Sequence, residues 1–149
     1  MALVIDPHGS EGERMLDAAG VRLHRISEGA GDVDAVVVAS VLPEGEREVR
    51  AVADIDVPAD PDAGMGAWHV NPVDELHVVV DGEGVMQFVT LDGVVTVMVG
   101  AGDVIEIRGA EHRYRPLTPQ RWILRYGGPA GADLDPVETG RAAGPWPSR

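Results

Sequence analysis

Cysteine and lysine are both missing from the 149 residues. Without cysteine there is no disulfide, no thiolate metal site and no thiol nucleophile. Without lysine, Schiff-base chemistry is excluded, and all 12 basic residues are arginine. They are outnumbered by 25 acidic residues, which sets the net charge at −13. Binding a phosphate backbone requires a clustered positive face, so no nucleic-acid partner is expected. No run approaches the about 18 apolar residues of a membrane span, and the start, MALVIDPHGSEGER, lacks a basic stretch followed by a long apolar one. The expectation is a soluble, cytoplasmic protein, monomer or homodimer, with a small-molecule substrate and no membrane partner.

What is present fits one domain, since a chain of this length buries roughly 68–70% of its unfolded surface. Ala2 to Ile5 suits a short strand. Ser10 suits the N-cap of a short helix over Glu11 to Ala19, with Gly20 just beyond its end. Val21 to Ile26 and Arg47 to Val57 alternate as half-buried strands do, which puts His24 on a polar side. Ser27 to Asp34 reads as loop, and Ala35 to Leu42 as either a strand or a short helix.

From Trp68 the pattern sharpens. Leu76–Val80, Val85–Thr90, Val94–Val99, Val104–Ile107, His112–Arg115 and Trp122–Tyr126 are strand candidates divided by Gly-rich turns, and Asp92-Gly93 is a strong hairpin cue. Such spacing argues for an all-β sandwich or barrel. After Gly127 the chain turns to Gly, Pro, Ala and charge, which suits a loose tail with Trp146 as its anchor.

The stretch GAWHVNPVDELHVVVDGEG, residues 66–84, gathers His69, Glu75 and His77, and GDVIEIRGAEHRYR adds His112 about thirty residues later. Gly66, His69, Asn71, Glu75 and Gly82 resemble the first motif of the cupin superfamily; Gly102, Asp103 and His112 resemble the second. Within cupins the chain is most similar to acireductone dioxygenases, which run Glu-Ile-Arg-Tyr, Gly-x-Gly, Gly-Asp and His-Arg-Phe where this chain has Glu75-Leu-His-Val, Gly82-Glu-Gly, Gly102-Asp and His112-Arg-Tyr. The resemblance implies a double-stranded β-helix (jelly-roll) barrel with a short N-terminal helix. It divides the chain into an N-terminal extension over residues 1–60 packed on the barrel, a barrel core over 61–127, and the tail over 128–149. It also implies that His69, Glu75 and His112 match three of four metal ligands, with Asn71 at the fourth position. Two departures stand out: Asn71 replaces a histidine, and Arg108-Gly109-Ala110 replaces a Pro-x-Gly, which leaves altered ligation or loss of the metal open. His77 stands where that family carries arginine, so scaffold and substrate are separate questions.

Two imidazoles and a carboxylate on one face, with open positions opposite, suit an oxygen-activating iron(II) site; nickel, zinc and manganese accept the same donors. Asn71 offers an amide oxygen to the metal or a hydrogen bond to a ligand. In a regular strand Glu75, His77 and Val79 point together, which makes His77 a fourth ligand or a general base. Tyr114 is a second candidate for moving a proton. Arg113, Arg115, Arg125 and Tyr126 are candidates for clamping an anionic substrate. Met86 and Phe88 read as barrel filling or pocket wall, Trp68 and Trp122 as packing, and Glu111 as a solvated carboxylate. The function expected is a metal-dependent dioxygenase acting on an enediol, a diketone or a related small acid. A metal-dependent isomerase, cyclase or lyase and a non-catalytic ligand-binding cupin are the alternatives.

Overall fold

The computed structural model describes residues 3–4, 10–25, 47–128 and 136–147. The readings of residues 27–34 as loop and 35–42 as strand or helix, and the side chain of His24, lie outside what is described. Helix α1 (Ser10–Ala18) is followed by β2 (Val21–Arg25), and β1 is the short Leu3–Val4. Then come β3 (Arg47–Ile55), β4 (His69–Val70), β5 (Asp74–Asp81), β6 (Glu83–Thr90), β7 (Gly93–Gly100), β8 (Asp103–Arg108), β9 (His112–Pro116), β10 (Gln120–Gly128) and β11 (Val137–Glu138). Ser10 is the first helical residue rather than the cap before it, a one-residue difference at a helix end.

The strands form two sheets, one ordered β1-β7-β6-β9-β4-β11 and the other β2-β8-β5-β10-β3. Every pairing is antiparallel except β1 with β7. Between the sheets lies an apolar core that includes Val79, Met86, Phe88, Ile105, Ile107 and Trp122, with Leu16 of α1 and Val21 joined to it. Met86 and Phe88 are the barrel filling expected of them. The strands exist because short runs rich in β-branched and aromatic residues recur along the chain and glycines break them at the turns.

The β6–β7 hairpin shows how that works. Thr90 pairs with Gly93, so the two loop residues are Leu91 and Asp92, and Gly93 begins the next strand rather than filling the turn. Gly82, between β5 and β6, has φ +86°, a conformation that side chains with a Cβ rarely adopt. Two residues on, a Cβ at Gly84 would fall 2.0 Å from the Tyr114 hydroxyl, so this glycine is the space into which Tyr114 packs.

Along β9 alternation sets the chemistry. His112 and Tyr114 lie opposite Phe88 and Met86 of β6 and face the core, whereas Arg113 and Arg115 lie opposite Gln87 and Val85 on the other face.

Residues beyond 128 also contribute. β11 pairs with β4, and Trp146 donates its indole N–H to Asp62 at 2.9 Å while its ring lies 3.8 Å from the Arg113 guanidinium.

Candidate metal centre

His69 sits on β4 and His112 on β9, directly opposite each other in the six-stranded sheet, with ring centroids 4.4 Å apart. Glu75 and His77 sit two residues apart on β5 of the facing sheet. The two groups meet inside the barrel: Nε2 of His112 is 3.9 Å from Oε2 of Glu75, and Nε2 of His77 is 3.0 Å from Oε1. Asn71 lies close enough for its side chain to help hold the Glu75 carboxyl down. All five side chains are buried. The sequence-derived set is therefore brought together from two segments about forty residues apart.

Each histidine of the six-stranded sheet is held in the same way. Nδ1–H of His69 donates to the carbonyl of Ala67 at 2.7 Å, and Nδ1–H of His112 donates to that of Ala110 at 2.8 Å. A carbonyl only accepts, so both rings carry a proton on Nδ1, and each neutral ring has its lone pair on Nε2. Metal-binding histidines are commonly oriented by such a contact. Neither alanine was singled out from the sequence, although each stands two residues before its histidine.

The electrostatics favour a ligation-ready state. Burial pushes the His112 imidazole down to about 4, against the pull of the Glu75 charge, so it is neutral at neutral pH. Burial also pushes the Glu75 carboxyl up, but the hydrogen bond from His77, the charges His77 and His112 carry when protonated, and the Asn71 amide outweigh it. The carboxyl lies below its usual range. With His112 neutral above about pH 4, hydrogen bonds rather than its charge keep Glu75 ionised at neutral pH.

His77 donates its Nε2–H to that carboxylate, which in the neutral ring places the lone pair on Nδ1. That Nδ1 has no hydrogen-bond partner, and neither do Asn71 Oδ1, Trp122 Nε1 and Gln120 Nε2, all buried. Trp122 sets its ring edge-on to both His77 and Tyr114, and the Tyr114 hydroxyl donates to Oε1 of Gln120. Burial pushes the Tyr114 phenol up, with the Gln120 hydrogen bond opposing, so it keeps its proton at neutral pH.

Gln120 and Trp122 are members of this site that sequence reasoning missed. Gln120 follows Pro119, a loop signal, yet it opens β10 two residues before Trp122 and so shares its face.

The arginine clamp is corrected. Arg113 points away from the histidines, because strand alternation turns it outward when His112 and Tyr114 turn inward. It donates to Gln87 at 2.7 Å, to the Gly144 carbonyl at 2.8 Å and to Asp62 at 3.4 Å, with its guanidinium 5.1 Å from the Trp68 ring. Arg115 shares that outer face; the side chains of Arg125 and Tyr126 lie outside what is described. Glu111 is not merely solvated but takes hydrogen bonds from Thr139 and Arg141.

The donor set suits a divalent metal: two free imidazole nitrogens, a carboxylate and a buried amide oxygen without a partner. Among the described residues no three histidine or carboxylate side chains already stand in coordinating positions. The 3.9 Å between His112 and Glu75 exceeds the roughly 3–3.5 Å between two ligands of one ion, and His77 occupies one carboxylate oxygen.

No family model and no curated protein matches the sequence. Among solved structures, acireductone dioxygenase from Bacillus anthracis, with a cadmium ion in its active centre, superposes with a TM-score of 0.60 at 16% identity over 85% of this chain and 88% of that one. Oxalate decarboxylase from Lactobacillus farciminis, as a formate complex, matches with a TM-score of 0.48 at 18% identity over 80% of this chain, which spans 31% of that one. The enzyme of that name from Bacillus subtilis, with Mn(II) centres, matches at 0.47 and 14% identity, with 80% of this chain and 27% of that chain covered. The chain thus has the fold of a cupin, two sheets closed into a jelly-roll barrel, and is similar in structure to acireductone dioxygenase.

Proposed function

We propose that the protein is a metal-dependent cupin enzyme in which His69, Glu75 and His112 hold a divalent ion inside the barrel. The observation that carries this reading is the pair of imidazoles pinned through Nδ1 to backbone carbonyls, with His112 Nε2 facing a carboxylate from the opposite sheet. The neighbour with cadmium in its active centre supports it. Asn71 supplies a neutral amide oxygen as fourth donor, which accounts for a buried oxygen without a partner. Iron(II) is the ion that this two-histidine, one-carboxylate set suits first, with nickel, zinc and manganese as alternatives, and the setting is cytoplasmic. When bound, such an ion supplies Lewis acidity towards substrate oxygens and a place for dioxygen.

The substrate class is a small enediol, diketone or related organic acid, and the reaction a dioxygenation. The chain's own residues supply the remainder. His77, its tautomer fixed by Glu75, presents Nδ1 as the base that takes a proton from substrate. Tyr114 keeps its proton on a hydroxyl held by Gln120, and passes it to substrate by giving up that hydrogen bond. Trp122 and the apolar wall around Phe88 keep water from the reacting atoms.

A second reading keeps the metal and drops oxygen: an isomerase, cyclase or lyase, favoured by the unpartnered Nδ1 of His77 as a proton acceptor. Substrate screening with an oxygen electrode on the iron(II)-loaded protein separates the two. Oxygen consumption coupled to turnover supports the dioxygenase, and turnover that persists anaerobically with another divalent metal supports the second reading. Among the described residues no helix is long and apolar enough to cross a membrane.

A further inference from the structure

β4, which carries His69, is only two residues long, and its ladder with β9 is the single pair His69 with His112. So short a pairing does not by itself fix the direction of an imidazole. On its other edge β4 pairs with β11, Val137 opposite Val70 and Glu138 opposite His69. The next residue, Thr139, donates its backbone N–H to the carbonyl of Trp68 at 3.0 Å and its hydroxyl to Oε2 of Glu111 at 2.7 Å. Arg141 closes on the same carboxylate with two donors, Nε to Oε2 at 2.8 Å and Nη2 to Oε1 at 2.9 Å. Trp68 immediately precedes His69, and Glu111 immediately precedes His112. One short segment therefore grips the residue before each histidine.

We propose that residues 137–141 form a positioning strap that sets the direction of both imidazoles and with it the affinity for the divalent ion. This inference rests on the metal reading above. Thr139, Arg141 and Glu111 touch no ligating atom. They act through the backbone: each histidine ring is tied to a carbonyl two residues earlier, Ala67 or Ala110, and the strap holds the residue between ring and carbonyl. If that residue shifts, carbonyl and ring lose their alignment together. The bidentate Arg141–Glu111 geometry fixes an orientation, which a single charge contact does not.

The test is a cobalt(II) titration of the full chain followed by visible absorption, which reads affinity and ligand geometry at once. Arg141→Ala is expected to weaken cobalt binding about tenfold or more and to change the absorption bands, as loss of a ligand-orienting contact does. Arg141→Lys, which restores one charged donor, should recover part of both. Arg121→Ala breaks an arginine–aspartate pair of the same two-nitrogen kind between β10 and β3, and should alter neither. If Arg141→Ala does not fold, Thr139→Val removes the hydroxyl's hydrogen bonds to Glu111, Trp68 and the Arg141 N–H, and reads the same quantities. Equal affinity with superposable spectra in the strap variants would overturn the proposal. If the parent protein takes up no cobalt, the metal reading falls, and the strap is judged on the Nδ1–H resonances of His69 and His112 in the metal-free protein. Displaced resonances in Arg141→Ala support it; unchanged ones overturn it.

Discussion

Two buried polar clusters lie back to back across the sheet of β6 and β9, and they are built to opposite standards. On the outer face Arg113 has every guanidinium nitrogen hydrogen-bonded, Gln87 passes its amide N–H to Thr96 at 2.9 Å, and Trp146 caps the guanidinium. On the inner face His112, Glu75, His77 and Asn71 share too few partners. All four buried side-chain atoms without a hydrogen bond among the described residues belong to the inner cluster and its Trp122–Gln120 wall. Leaving one such atom unsatisfied costs about 1–3 kcal/mol. A satisfied network fixes structure, and a deficient one marks a place where a ligand completes the bonding.

Removing the outer arginine should break this contrast from the stable side. Arg113→Ala strands the Gln87 amide oxygen and the Gly144 carbonyl and strips a cation from between two indoles. It is expected to cost about 3 kcal/mol in urea unfolding, while refolded protein keeps its metal stoichiometry. A loss of metal without loss of stability would place Arg113 in the site.

Between pH 7 and about 4.5 acid should act chiefly on the inner cluster. The His112 imidazole takes up a proton near pH 6.5 when unfolded but only near pH 4 when folded, so between those values the unfolded state binds more protons. Its contribution, about 3 kcal/mol, is complete above roughly pH 6.5 and is lost as the pH falls towards 4. Glu75, whose folded value is lowered, adds a further loss only below about pH 4.5. Denaturation midpoints of the metal-free protein across pH 7 to 4 should therefore fall in the parent and stay flatter in His112→Phe.

Gly84→Ala sharpens the comparison by driving a methyl into Tyr114. We expect a loss of about 1–3 kcal/mol and a disturbed Tyr114–Gln120 contact, visible in near-ultraviolet circular dichroism. At the small end, Arg121→Ala, at a pair exposed to solvent, should leave the unfolding midpoint where it is.

Much of the inner cluster was legible in the sequence. Val-rich runs cut by glycine marked β5 to β10, and histidine and glutamate at motif spacing marked His69, Glu75 and His112. The outer cluster was not, for physical reasons. Charge type suggested that Arg113 faces a substrate, but its position next to His112 in a strand turns it outward, and alternation outranks chemistry. The strap was hidden because Val137-Glu138-Thr139 is too short a run to carry a strand signal amid its Gly, Pro and Ala surroundings, and its ties, such as Arg141 to Glu111 thirty residues away, are long-range. Gln120 was obscured by Pro119, which reads as loop although the strand begins at the next residue.

The central claim, that His69, Glu75 and His112 grip one cation inside the barrel, is tested most directly by elemental analysis of purified parent and His112→Ala protein, each checked for folding by circular dichroism. The account expects a divalent ion bound stoichiometrically in the parent and lost in the variant, with the strand signal unchanged. Equal metal content in the two proteins, or none in the parent after loading with iron(II), would contradict it.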